Sequence, residues 1–215
     1  MTMKTSTAAA TVAILITLVG GAAPASARET ADHLDQARDF LADYGVDDAT
    51  QGRLIASYLA GERWDSFDSD SRPVQSTTRE LPGVVQTIAR YEDGSVSVTS
   101  IERPQEQTTG EADSSPAGCT ADGDERNNCT VDTWVGLIQL SFKASYNVAT
   151  DTVTNVYGAG WQIGGACSSS LVYLGIPATD MGRLDVSAQM CGAPYNSTFF
   201  LAVTVDGGVA TESWG

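Results

Sequence analysis

The sequence predicts an α+β protein. A signal helix leads into a small two-helix plus β-hairpin unit, and an antiparallel β-sandwich or barrel-like domain follows. Three observations carry this expectation. A helical apolar period runs through residues 30–61 and does not recur later. About six strand-like segments fill the C-terminal half, separated by glycine, proline or short polar turns. All four cysteines lie in that half, as a cross-linked β domain would need.

The first 27 residues read as a secretory leader. Lys4 gives a positive start, Ala8–Val19 is an apolar run, and Gly20, Gly21 and Pro24 end it. Ala25-Ser26-Ala27 fits the small-x-small cleavage pattern. A twelve-residue helix reaches roughly 18 Å, short of the ~30 Å core of a bilayer, so a membrane anchor is the poorer reading. Removal of residues 1–27 takes away one lysine and no acid, moving the formal charge from −15 to −16. Such an acidic balance repels phosphate backbones and anionic lipid, which excludes nucleic acid as a natural partner.

Residues 28–103 hold the helices and the hairpin. In "TADHLDQARDFLADYG", Leu34, Ala37, Leu41 and Tyr44 fall on one face, Phe40 widens it, and Gly45 stops the helix. Asp47 or Asp48 then caps "ATQGRLIASYLAG", with Leu54, Ile55, Tyr58 and Leu59 expected inward and Gly61 as its end. "VVQTIARY" and "SVSVTSI", joined through Glu92-Asp93-Gly94, read as a β-hairpin. Trp64 and Phe67 are expected to cover the join between helices and hairpin. Residues 104–117, without a large apolar side chain, read as a flexible linker open to proteolysis.

Residues 118–215 read as a disulfide-stapled all-β domain. "TWVGLIQLSFKASYNV" opens it, too long and too continuously apolar for one exposed strand, so that at least part is buried on both faces. Of the three possible pairings, Cys119–Cys129 with Cys167–Cys191 closes short loops without crossing. Zinc does not fit these spacings, and the one histidine, His33, lies far from the cysteines in the chain.

"TQGRLIASYLAGERWDS" followed by "RYEDGSVSVTSIERP", with "NCTVDTWVGLIQLSFKASY" beyond, resembles the layout of uncharacterised secreted proteins of high-GC Gram-positive bacteria. That resemblance implies export and architecture. It implies no chemistry and no functional residue.

No base stands near a candidate nucleophile: His33 lies on a helix face and Lys143 on a solvated strand face, and no G-x-S-x-G occurs. The glycines of "YGAGWQIGGAC" lie inside a β region, where they mark bulges and close crossings. Paired carboxylates for glycoside hydrolysis have candidates in Asp132, Asp151, Asp180 and Asp185, none singled out by pattern. In "GCTADGDERNNCT", Asp122, Asp124 and Asn127 offer oxygen ligands for a weak calcium site, although the loop lacks the EF-hand's final acid and helix. The bland alternative there is a solvated hairpin tip closed by a disulfide. Asn128 and Asn196 sit in glycosylation triplets that a bacterial source would leave unused. Exposed aromatics of the β region, Trp134 among them, could stack on sugars or a protein. Tyr157 and Trp161 are the ligand-binding candidates, sharing a strand face if no bulge intervenes.

The expected function is therefore a secreted, monomeric, non-enzymatic binding module for a cell-wall carbohydrate or an extracellular protein, with no membrane anchor once the leader is removed. The alternatives are a secreted acidic-residue hydrolase of glycosidase type, and an inhibitor or effector processed at the linker.

Overall fold

A computed structural model describes residues 25–68, 70–106, 118–191 and 196–215. Most of the leader and residues 107–117 of the expected linker lie outside the described residues. The described chain is mostly antiparallel β-sheet with two helices, a β-rich α+β fold.

Helix α1 (Ala25–Asp43) buries Ala37, Phe40 and Leu41 on one stripe. Gly45 ends it at φ +74°, a left-handed position that glycine adopts without steric cost. Helix α2 (Asp48–Leu59) is capped by Asp47, whose carboxylate accepts from the Thr50 N–H at 3.0 Å and the Thr50 hydroxyl at 2.8 Å. Those bonds hold the Asp47 carboxyl below its usual range. Leu54 and Ile55 point inward as expected, but Leu59 does not: it is 61 % exposed. Trp64 closes that end instead, buried to 1 %, with its indole N–H donating to the Leu54 carbonyl at 2.7 Å. Phe67 stacks on it at 4.8 Å.

An eight-stranded sheet contains β1 (Gln75–Leu81), β2 (Val84–Arg90), β3 (Val96–Glu102), β4 (Gln105–Glu106), β5 (Thr120–Asp122), β6 (Glu125–Trp134), β7 (Ile138–Asn147) and β8 (Thr152–Ile163). The expected hairpin is β2–β3. Strand β1 was not expected, because "QSTTREL" is polar up to its last residue, Leu81, and exposed along its whole length. The turn at Asp93-Gly94-Ser95 is clamped from two sides. The Asp93 carboxylate accepts from the Asp65 N–H at 2.9 Å, and the Ser95 hydroxyl accepts from the Ser66 N–H at 3.0 Å. On the other side Gly94, at φ +90°, presses on Thr50 of α2.

The boundary expected at 104–117 does not divide the sheet. Strand β3 pairs directly with β6, Val98 opposite Trp134 and Ile101 opposite Val131. One edge of β6 is shared in sequence by β5 and β3, and its other edge carries β7. Backbone hydrogen bonds thus join the first helical-hairpin segment to the cysteine-bearing segment.

The long apolar segment is a hairpin and not one strand. It breaks at Val135-Gly136-Leu137, between β6 and β7, with Val135 and Leu137 buried. Gly136 takes φ +70°, and a β-carbon there would come 3.1 Å from the Trp64 ring. Trp64 covers this turn, which is why its residues are apolar and carry no polar turn signal.

A second sheet holds β9 (Ala166–Ala178), β10 (Met181–Met190), β11 (Asn196–Asp206) and β12 (Val209–Trp214), in the order β12-β11-β10-β9. Its Leu184, Val186, Leu201 and Val203 belong to one buried cluster with Phe142 and Leu140 of β7 and with Phe40 and Trp64. Each such fully buried side chain stabilises the fold by roughly 1.5–3 kcal/mol. Two polar ties also link the sheets. The Thr99 hydroxyl donates to Glu212 at 3.0 Å. The Asp151 carboxylate accepts from the N–H groups of Gly207 and Gly208 at 3.1 and 2.8 Å.

The two disulfides pair Cys119 with Cys129 and Cys167 with Cys191. The first is buried and ties the residue before β5 to β6, and the second, exposed, joins β9 to the residue after β10.

Candidate functional site

The register of the large sheet sets three side chains in a line. Trp134 of β6 lies opposite Gln139 of β7, and Gln139 lies opposite Gln162 of β8. Cross-strand partners project to the same face, so the three form one row on the face that α1 covers. Helix α1 supplies a wall: Gln36 and Asp39, at i and i+3, project along one side of the helix. Between wall and row is an open cleft of about 350 Å³, floored at one end by Gly136 and Leu137.

Each side chain of the cleft has a defined seat. Phe40 supports the Trp134 ring from the helix side at 4.9 Å. The Trp134 indole N–H donates to the Gly136 carbonyl at 3.1 Å, which fixes the ring and leaves it 37 % exposed. The Gln162 amide nitrogen donates to Gln36 Oε1 at 3.2 Å and sits 3.3 Å from His33 Nδ1. His33 is thus a half-buried flank of the cleft wall. Among the described residues, no hydrogen-bond donor or cation meets the Asp39 carboxylate. The arrangement offers one fixed aromatic ring beside amide and carboxylate groups. It contains no nucleophile–base pair.

The residues singled out from sequence fall elsewhere. Tyr157 and Trp161 do not share a face. Tyr157 pairs with Lys143, Trp161 with Leu140, and an extra residue in β8 lies between them. Lys143 and Leu140 are an odd number of positions apart on a regular strand, so their partners point to opposite sides. Tyr157 donates its hydroxyl to the Asn128 side chain, and Trp161 donates its indole N–H to Ser169 at 3.0 Å.

Asp122 and Asp124 stand exposed at the β5–β6 turn, and Asn127 lies on β6 opposite Thr120. Arg126 donates to the Gly123 carbonyl at 2.7 Å, setting a positive charge in the loop that offered a weak calcium site. Among the described residues, no group of three or more His, Cys, Asp or Glu could hold a metal ion.

Of the four candidate acids, Asp151 is occupied by the turn at Gly207-Gly208 and Asp185 by Arg183 at 2.7 Å. Asp180 follows β9, and its carbonyl accepts from the Val205 N–H at 2.9 Å. Asp132 differs. Burial, and secondarily the Glu212 carboxylate, push its carboxyl up to about 6.

Gln36, Asp39, Gln139 and Gln162 escaped sequence reading. The His33-Gln36-Asp39 spacing was a visible second stripe on α1. Gln139 and Gln162 become neighbours only through strand register, which composition does not encode.

No family model matches the chain, and no curated protein or solved structure matches it.

Proposed function

We propose that this protein is a secreted, monomeric, non-catalytic binding module that takes a carbohydrate unit in the Trp134 cleft. The observation that carries the proposal is the partly exposed Trp134 ring, held by Phe40 and the Gly136 carbonyl in line with Gln139 and Gln162. A sugar presents a C–H face to an indole ring and hydroxyls to amides and carboxylates, and this cleft offers both at once. Its ring is already positioned, so binding orders little that is not ordered before.

Export is supported by the leader pattern of residues 1–27 and by two disulfides, which are typical of extracellular proteins. The two sheets on one shared core form a sandwich in this reading. Its place is among the secreted proteins of high-GC Gram-positive bacteria whose layout the sequence resembles.

One observation favours a second reading, a hydrolase working with acidic residues: Asp132 with its raised pKa near Glu212. Asp132 does not line the cleft, which leaves that reading without a substrate seat.

The test is titration of the purified protein with soluble wall glycans and neutral oligosaccharides, followed by tryptophan fluorescence, for wild type and Trp134→Ala. Saturable binding by wild type, weakened about tenfold or more in the variant, is expected. Equal binding by both proteins, or none by wild type, would sink the proposal. Release of reducing sugar, lost in Asp132→Asn, would favour the hydrolase.

A further inference from the structure

The hydrogen-bonding inventory of the cleft narrows the ligand further. The Trp134 indole N–H is consumed by the Gly136 carbonyl. The Gln162 amide nitrogen is consumed by Gln36 and faces His33. The atoms left to a ligand are then mainly acceptors: both Asp39 oxygens, Gln162 Oε1 and Gln139 Oε1. The donors left are the amide nitrogens of Gln36 and Gln139, with the His33 ring N–H at the flank. Among the described residues, no lysine or arginine lines the cleft. Arg38, next to Asp39 in the chain, is engaged by Asp35 at 3.1 Å. Among the described residues, Asp39 is therefore the one formally charged group at the cleft and meets no counter-ion, on a chain of net charge −15.

An acceptor-rich cleft with an uncompensated carboxylate is complementary to a donor-rich, cationic ligand and repels an acidic one. Trp134 reinforces this choice, because an indole face attracts an ammonium group. Resting on the carbohydrate-binding reading, we infer that the cleft selects saccharides carrying a free ammonium group, amino-sugar units, over their N-acetylated, neutral and acidic counterparts. Asp39 receives the ammonium, Trp134 stacks on the ring, and Gln139 and Gln162 accept hydroxyls. An N-acetyl group in the same place brings no charge to Asp39. A uronic acid brings two carboxylates together.

The experiment is calorimetric titration of the purified protein with short glucosamine oligomers, the same oligomers N-acetylated, cello-oligomers and oligogalacturonate. Wild type, Asp39→Asn, Trp134→Ala and Asp206→Asn are compared. Asp206→Asn removes the same charge at an exposed site on β11 outside the cleft, and so controls for general attraction between an acidic protein and a cationic sugar. Wild type is expected to prefer the amine over the N-acetylated oligomer by about fivefold. Asp39→Asn should abolish that preference, lowering affinity for the amine oligomer more than for the N-acetylated one. Asp206→Asn should keep the preference, and Trp134→Ala should weaken every oligomer. Equal affinity for amine and N-acetylated oligomers overturns the inference. So does a preference that survives in Asp39→Asn or falls equally in Asp206→Asn. With Trp134→Ala still weakening binding, those results leave the carbohydrate reading standing. Oligomers that bind Trp134→Ala as tightly as wild type overturn both.

Discussion

Phe40 of α1 and Trp134 of β6 meet with ring centroids 4.9 Å apart and planes tilted by 44°. Phe40 is fully buried and Trp134 partly exposed, so the contact joins the core to the cleft. Phe40→Ala is expected to cost about 3–5 kcal/mol through the cavity it leaves, read as a drop in urea midpoint by far-ultraviolet circular dichroism. A loss within ~0.5 kcal/mol would mean that α1 does not dock on this face.

Gly94 and Thr50 give a second prediction. A β-carbon at Gly94 would approach Thr50 Cγ2 to 2.5 Å, and the backbone there is left-handed at φ +90°. Gly94→Ala should destabilise by roughly 1–3 kcal/mol from overpacking and strain together. Thr50→Ser removes Cγ2 yet keeps the hydroxyl that donates to Asp47. The double variant should recover about 0.5 kcal/mol or more of the loss. Strict additivity in a denaturation cycle would show that the two residues do not touch.

Asp132 gives stability a pH dependence of defined sign. Its carboxyl is raised from 3.8 to about 6, first by burial and then by Glu212. The folded state therefore holds this proton more tightly than the unfolded chain between about pH 4 and 6, and stability falls as pH rises through that window. Asp132→Asn should be more stable than wild type at neutral pH and similar near pH 4. The full shift corresponds to about 3 kcal/mol, and partial solvent exposure reduces the gain. Glu212→Gln should gain less, because burial is the larger cause. Urea midpoints across this pH range check the claim; a neutral-pH loss in Asp132→Asn would contradict it.

The disulfides should open in sequence. Cys119 and Cys129 are buried to 2 % and 0 %, whereas Cys167 and Cys191 are exposed. Exchange requires a thiolate to reach a sulfur. Mild reductant followed by alkylation and peptide mapping should label Cys167 and Cys191 first, with Cys119 and Cys129 labelled only on unfolding. Simultaneous labelling of all four would refute the order.

Where periodicity was strong, the sequence was a good guide. The α1 and α2 stripes, the Asp47 cap, the Gly45 stop and the β2–β3 hairpin were all legible because each is set by neighbours in the chain. Strand β1 was not, since an edge strand exposed along its length has no apolar alternation to show. The β6–β7 turn was not, because covering it with Trp64 removed the polar residues that announce a turn. The pairing of Tyr157 with Trp161 failed on one extra residue in β8, which reverses every side chain beyond it. The cleft was legible in Trp134 alone. Its other members come from a helix and two further strands, and only the folded register brings them together.

The apolar turn at Val135-Gly136-Leu137 makes the β half dependent on what precedes it. A shortened protein starting near residue 118 would show Val135 and Leu137 to water at the tip of its central hairpin, and β6 would lose β3 as a neighbour. Such a fragment would be sticky and prone to self-association. The N-terminal segment that carries Trp64 thus does for the β half what a partner protein would otherwise have to do: it keeps an apolar tip out of water.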